Sequence, residues 1–115
     1  MAGTALQPAT RGFAVNYTGS DVSACVEVLA APGAGVSHYL KKVLINVQAD
    51  IDITIGAGKT TTAVTSVILG SLGMSANSTI VYEFVTPIKL AANTALTLDA
   101  SGAGILTVFV EGYTE

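Results

Sequence analysis

The sequence predicts an all-β fold: a single-domain antiparallel β-sandwich, most simply a jelly roll, of about eight short strands. Three observations predict it. Val, Ile and Thr fill 35 of the 115 positions, and branching at Cβ restricts rotamers in a helix but packs well on a pleated surface. Apolar residues recur with a period of two: Ile51, Ile53 and Ile55 alternate with Asp52 and Thr54, and Ile80, Tyr82 and Phe84 with Val81, Glu83 and Val85. Turn-forming clusters rich in Gly, Asp, Ser and Pro recur at regular spacing between these segments.

In chain order, residues 1–12 show no period and carry Pro8 and two glycines, so they are expected to form an extended arm outside a domain spanning 13–115. The first strand, 13–18, ends at Thr18-Gly19-Ser20-Asp21, and the second, 22–30, at Ala31-Pro32-Gly33-Ala34-Gly35. The third, 37–48, runs to Ala49-Asp50 and the fourth, 51–55, to Gly56-Ala57-Gly58. A fifth is expected at 60–69, closed by Gly70-Ser71-Leu72-Gly73, and a sixth at 79–85, closed by Thr86-Pro87. The last two, 95–99 and 105–111, flank Ser101-Gly102-Ala103-Gly104. Val64, Val67, Ile68 and Ser71 fall at helical spacing, but Thr60-Thr61-Thr62 and the later glycines oppose a helix there. The expected core is Val43, Ile45, Val47, Ile53, Ile80, Tyr82, Phe84, Leu96, Leu98, Val108 and Val110. Several later strands are partly apolar on both faces, which suits a sandwich whose outer face is covered by neighbours.

Composition narrows the function. Charged residues are 11% of the chain against a usual share of about 25%, so part of the surface is expected to be covered by partners. A net charge of −3, with five Lys and Arg in all, lacks the basic face of a nucleic-acid binder. No apolar run has the length of a signal peptide or membrane span, so neither export nor a membrane partner is expected. The sequons at Asn16 and Asn77 then have no secretory context. Cys25, the single cysteine, has no disulfide partner in its own chain and is expected as a buried thiol.

Each candidate for chemistry is incomplete. Gly56-Ala57-Gly58-Lys59-Thr60 resembles the end of a phosphate-binding loop, but the position of its first glycine is Ile53 and the β-branched run that follows does not favour a helix. A glycine turn with an exposed lysine is the expected structure. His38, the only histidine, lacks clustered ligand partners and is expected at a surface or interface. Asp50 and Asp52 could bridge a cation, though solvated turn residues explain them equally well. Ser37 or Ser66 with His38 and Asp99 would make a hydrolase triad only on paper, because no Gly-x-Ser-x-Gly elbow occurs. Lys41 and Lys42 are expected on opposite sides of a strand, as a solvated edge. No catalytic residue, metal or cofactor follows from these patterns.

The C-terminal third carries a resemblance. Tyr82-Glu83-Phe84-Val85-Thr86-Pro87-Ile88-Lys89-Leu90, then Asn93-Thr94-Ala95-Leu96-Thr97-Leu98, then Gly102 to Tyr113 with its alternating last strand, resemble the closing strands of the small jelly-roll proteins that decorate tailed-bacteriophage heads. Tyr39 to Val47 and Ile51 to Gly56 resemble that family's central strands, so the likeness spans residues 37–113. It implies a non-enzymatic decoration, or cement, protein, often trimeric, whose partners are the major capsid protein and itself, on the outer surface of the virion. It transfers no catalytic residues. Leu6, Gln7, Pro8 and Arg11 in the arm are the expected capsid or inter-subunit contacts. The alternative is a receptor- or carbohydrate-binding jelly roll using Tyr17, Tyr39 or Tyr113 as a platform, though the chain has no Trp. A cupin-like metal enzyme is disfavoured because one histidine cannot supply the usual ligand set.

Overall fold

A computed structural model describes residues 11–115. The described residues form eight strands and no helix: β1 (Arg11–Asp21), β2 (Val26–Leu29), β3 (His38–Val47), β4 (Ile51–Lys59), β5 (Val64–Met74), β6 (Ser78–Lys89), β7 (Leu96–Ala100) and β8 (Ala103–Thr114). They make two four-stranded sheets, ordered β1-β8-β3-β6 and β2-β7-β4-β5, and every pairing is antiparallel. Only β4 and β5 are consecutive partners in one sheet. Each other connection crosses to the facing sheet, and this wrapping is that of a jelly roll.

The core lies between the inner faces of the central strands. Val43, Ile45 and Val47 of β3, Val108 and Val110 of β8, Ile53 of β4 and Leu96 and Leu98 of β7 are all fully buried, each worth about 1.5–3 kcal/mol relative to exposure. Ile80, Tyr82 and Phe84 were expected beside them but are only half-buried. They face inward from β6, an edge strand with a partner on one side only.

Strand limits differ from expectation where local chemistry prevails. Arg11 and Gly12, expected in the arm, pair with Thr114 and Tyr113 as the start of β1. Gly56-Ala57-Gly58, expected as a turn, continues β4, because β5 passes so close that a side chain at 56 would strike the Ser66 carbonyl and Val64. The turn falls instead on Thr60-Thr61-Thr62, expected as strand. The Thr60 hydroxyl accepts from the Ala63 amide at 3.1 Å and the Thr60 amide donates to the Ala63 carbonyl at 2.8 Å, the local bonding that lets threonine replace a ladder. Gly70 and Gly73, expected in a loop, lie within β5, where the register with β4 shifts between Ile53 and Ile55. Thr86-Pro87 likewise lies inside β6. The β3 register there passes from Glu83 to Ile88, and an edge strand tolerates a residue with no amide donor.

Candidate contact surface

The outer face of the β1-β8-β3-β6 sheet follows from alternation. Val43, Ile45, Val108 and Val110 point inward, so Lys42, Leu44, Phe109 and Glu111 point outward. Register then sets these residues in rows across the four strands. One row is polar: Thr18, Thr107, Asn46 and Thr79, tied by a Thr18–Thr107 hydroxyl contact of 3.2 Å and an Asn46 Nδ2 donation to Thr79 Oγ1 at 2.8 Å. The next, Asn16, Phe109, Leu44 and Val81, is largely apolar, with Val81 half exposed at 49%. The third is Ala14, Glu111, Lys42 and Glu83, an acid, a base and an acid side by side. The fourth holds Gly12, Tyr113, Tyr39 and Lys89. In it the two tyrosine rings stack at 4.7 Å and Lys89 Nζ lies 5.8 Å from the Tyr39 centroid.

Lys42 is therefore part of a row and not of a solvated edge pair. A register shift between Leu40 and Lys42 interrupts strict alternation at Lys41. Of the three tyrosines expected as a platform, Tyr39 and Tyr113 come together on this face. Tyr17 lies on the inward side of β1 and packs against the core.

His38 is the clearest correction. Expected at a surface or interface, it is buried at 4% exposure. Its Nε2 donates to the Ala30 carbonyl at 2.7 Å, and Nδ1 lies 2.8 Å from the Thr114 hydroxyl. A carbonyl can only accept, so the proton sits on Nε2 and, in the neutral ring, Nδ1 accepts from Thr114. Phe13 meets the ring edge-on at 5.6 Å. The histidine joins the β2–β3 loop to the chain end, and both its nitrogens are engaged away from Ser37, Ser66 and Asp99. Beside it, Arg11, Phe13, Pro32, Val36 and Thr114 line a shallow depression of about 270 Å³. Arg11 is the one expected contact residue with a described place, since Leu6, Gln7 and Pro8 lie outside the described residues.

The other candidates are absorbed by the fold. The Gly58 amide donates to the Ala95 carbonyl at 2.9 Å and the Thr60 amide is held in the turn, so the phosphate-loop look-alike has spent two of its donors within the sheet. Asp50 Oδ1 accepts from the Ala76 amide at 2.7 Å and steadies the β5–β6 loop, while Asp52 is exposed on β4. Among the described residues no group of three or more His, Cys, Asp or Glu could hold a metal ion. Cys25 is a buried thiol, as expected. Burial pushes its pKa up, against an opposing hydrogen bond from the Thr97 side chain. Asp99, on β7, has a buried Oδ1 without a hydrogen-bond partner among the described residues, and burial raises its pKa against a bond from the Ala100 amide.

No known protein family matches the chain, and no curated protein matches it. Solved structures similar to it include a chain of the cyanophage Pam1 capsid asymmetric unit, at 16% identity over 98% of this chain and 90% of that one, with a TM-score of 0.41. Another is a chain of the infectious bursal disease virus Gx strain, at 9% identity and a TM-score of 0.38, where the match covers 99% of this chain and 35% of that one.

Proposed function

We propose that the chain is a non-enzymatic structural protein of a virus particle, a decoration or cement protein that binds the outside of an assembled phage head as a trimer and stabilises it. The observation that carries this reading is the outer face of the β1-β8-β3-β6 sheet. A domain with 13 charged residues, the five basic and eight acidic of its composition, presents Phe109, Leu44 and Val81 as a continuous row outside a core that is already complete. Isolated surface apolar residues are ordinary, but a row spanning adjacent strands suits a subunit built for assembly. The jelly-roll wrapping is compatible with the reading and also serves lectins and enzymes, so it is the surface that supports it. Residues 1–10, which precede β1 in sequence, are together with Arg11 the proposed capsid contact.

The test is co-sedimentation of the purified protein with heads that lack it. Saturable binding, with heads that withstand heating or low salt better than bare ones, is the expected result, and removing residues 1–10 weakens it. A protein that leaves the heads unbound and unstabilised overturns the reading. Unchanged binding after the deletion removes those residues from it.

A further inference from the structure

The outer face carries a charge pattern that selects its own partner. We propose that this face forms a two-fold contact with a second copy of the chain, the axis lying along the strands between β8 and β3. Rotation about such an axis keeps each residue at its level along the strand and exchanges the left and right halves of each row. Glu111 of one copy then faces Lys42 of the other and Lys42 faces Glu111, while Phe109 and Leu44 exchange in the row beside them. Glu83 meets Ala14 at the rim, so no two like charges are opposed.

Other two-fold arrangements fail on the same residues. An axis running across the strands along the charged row sets Glu111 on Glu111 and Lys42 on Lys42. Moved by half a row, it drives these charges onto Phe109 and Leu44, a desolvation without compensation. Shape agrees with charge. A twisted sheet is a saddle, and a two-fold axis along its central strands returns the saddle to itself, so the two faces match across their whole width. Area is sufficient: four strands about 4.8 Å apart and about 38 Å long cover about 700 Å², close to the roughly 800 Å² per partner of a standard stable interface. The contact goes beyond the capsid reading. On a shell it would join neighbouring trimers, and in solution it is independent of any head.

Sedimentation equilibrium of the full chain over the micromolar to sub-millimolar range tests it. The wild type is expected to form a dimer, or a dimer of any smaller assembly it makes. Leu44→Glu sets a carboxylate against Phe109 twice per contact, and at tenfold or more each it weakens association at least about hundredfold. Lys42→Glu and Glu111→Lys each oppose like charges twice, so each alone associates poorly. Mixed together they restore both pairs and heterodimers form. The carboxylate that the first variant carries at position 42 meets the ammonium that the second carries at position 111, and the unaltered Glu111 of the first meets the unaltered Lys42 of the second. All three positions face outward, so unfolding temperatures near the wild-type value confirm that the fold survives. The proposal is overturned by a wild type that stays monomeric, by a trimer as the largest species, or by a mixture no heavier than its parts. None of these outcomes bears on whether the chain binds heads.

Discussion

Leu98 sits at the centre of β7, paired with Val26 on β2 and with Ile55 on β4, and its side chain is fully buried. Leu98→Ala removes the branch beyond Cβ, about 2.4 kcal/mol of transfer free energy at about 0.8 kcal/mol per buried carbon. Both flanking strands are held by ladder bonds, so the site relaxes little. An unfilled volume of about 70 Å³ at about 24 cal/mol per Å³ adds roughly 1.7 kcal/mol. The expected loss is about 4 kcal/mol. With an unfolding entropy of about 2.1 cal/mol/K per residue over 115 residues, Tm falls by about 17 °C. Urea unfolding at neutral pH, followed by circular dichroism with Val85→Ala as the control, measures the difference. Val85 is fully exposed, at 104%, and its truncation is expected within about 0.5 kcal/mol of the wild type. A Leu98→Ala loss under about 1.5 kcal/mol, or equal to that of the control, would refute the placement of β7 at the centre of the sandwich.

Three further outcomes follow from the same geometry. Gly112→Ala should abolish folding or cost at least about 3 kcal/mol, because the new methyl strikes the Tyr39 carbonyl from a central strand and meets Phe13 Cζ at 2.8 Å, whereas Gly102→Ala, with open space around it, should leave the melting temperature unchanged. Asp99→Asn should stabilise the protein at neutral pH. Burial raises the folded-state pKa of Asp99, so its ionisation weakens the fold, and that penalty is relieved as pH falls through the folded pKa; melting curves of the two proteins should therefore converge in acid, and a constant gap would show that the effect is not ionisation. Cys25 is buried and its thiol pKa raised, chiefly by burial, so a maleimide should label it slowly in the native state and rapidly in denaturant, as read by mass spectrometry.

Most of the fold was legible because the core strands carry their period openly. Val43, Ile45 and Val47, and Val108 and Val110, announce an inner face by strict alternation, and the structure buries all five. Several of the misplaced boundaries fall on glycine and threonine, whose meaning depends on context. Gly56 and Gly70 read as turn residues, yet at 56 the demand is for room beneath β5 and at 70 for a backbone at φ 144° beside Thr54. Thr60-Thr61-Thr62 has strand propensity, but the Thr60 hydroxyl bonds the local backbone and wins the turn. At the two glycines the outcome is settled between strands, outside the window in which propensity is read.

The contact surface was half legible, and the missing half is a matter of register. Alternation alone assigns Lys42, Leu44, Phe109 and Glu111 to outward positions, but it does not say that residues 42 and 111 share a row, since a slip of two places between β3 and β8 would keep every side chain on its face while moving the charges. His38 failed for a related reason. A lone histidine without clustered ligand partners predicts a surface or interface place, whereas its partners, Ala30 and Thr114, come from the preceding loop and from the far end of the chain. With one histidine and few charges, the polar groups that matter are those whose partners are distant in sequence. The same reasoning makes the mixed experiment with Lys42→Glu and Glu111→Lys more incisive than either variant alone. Each single change could act through its own sheet, but recovery on mixing requires the two outer faces to meet across two molecules, and a wild type that itself dimerises then requires Lys42 to face Glu111 there, because an axis across the strands would set each charge on its own kind.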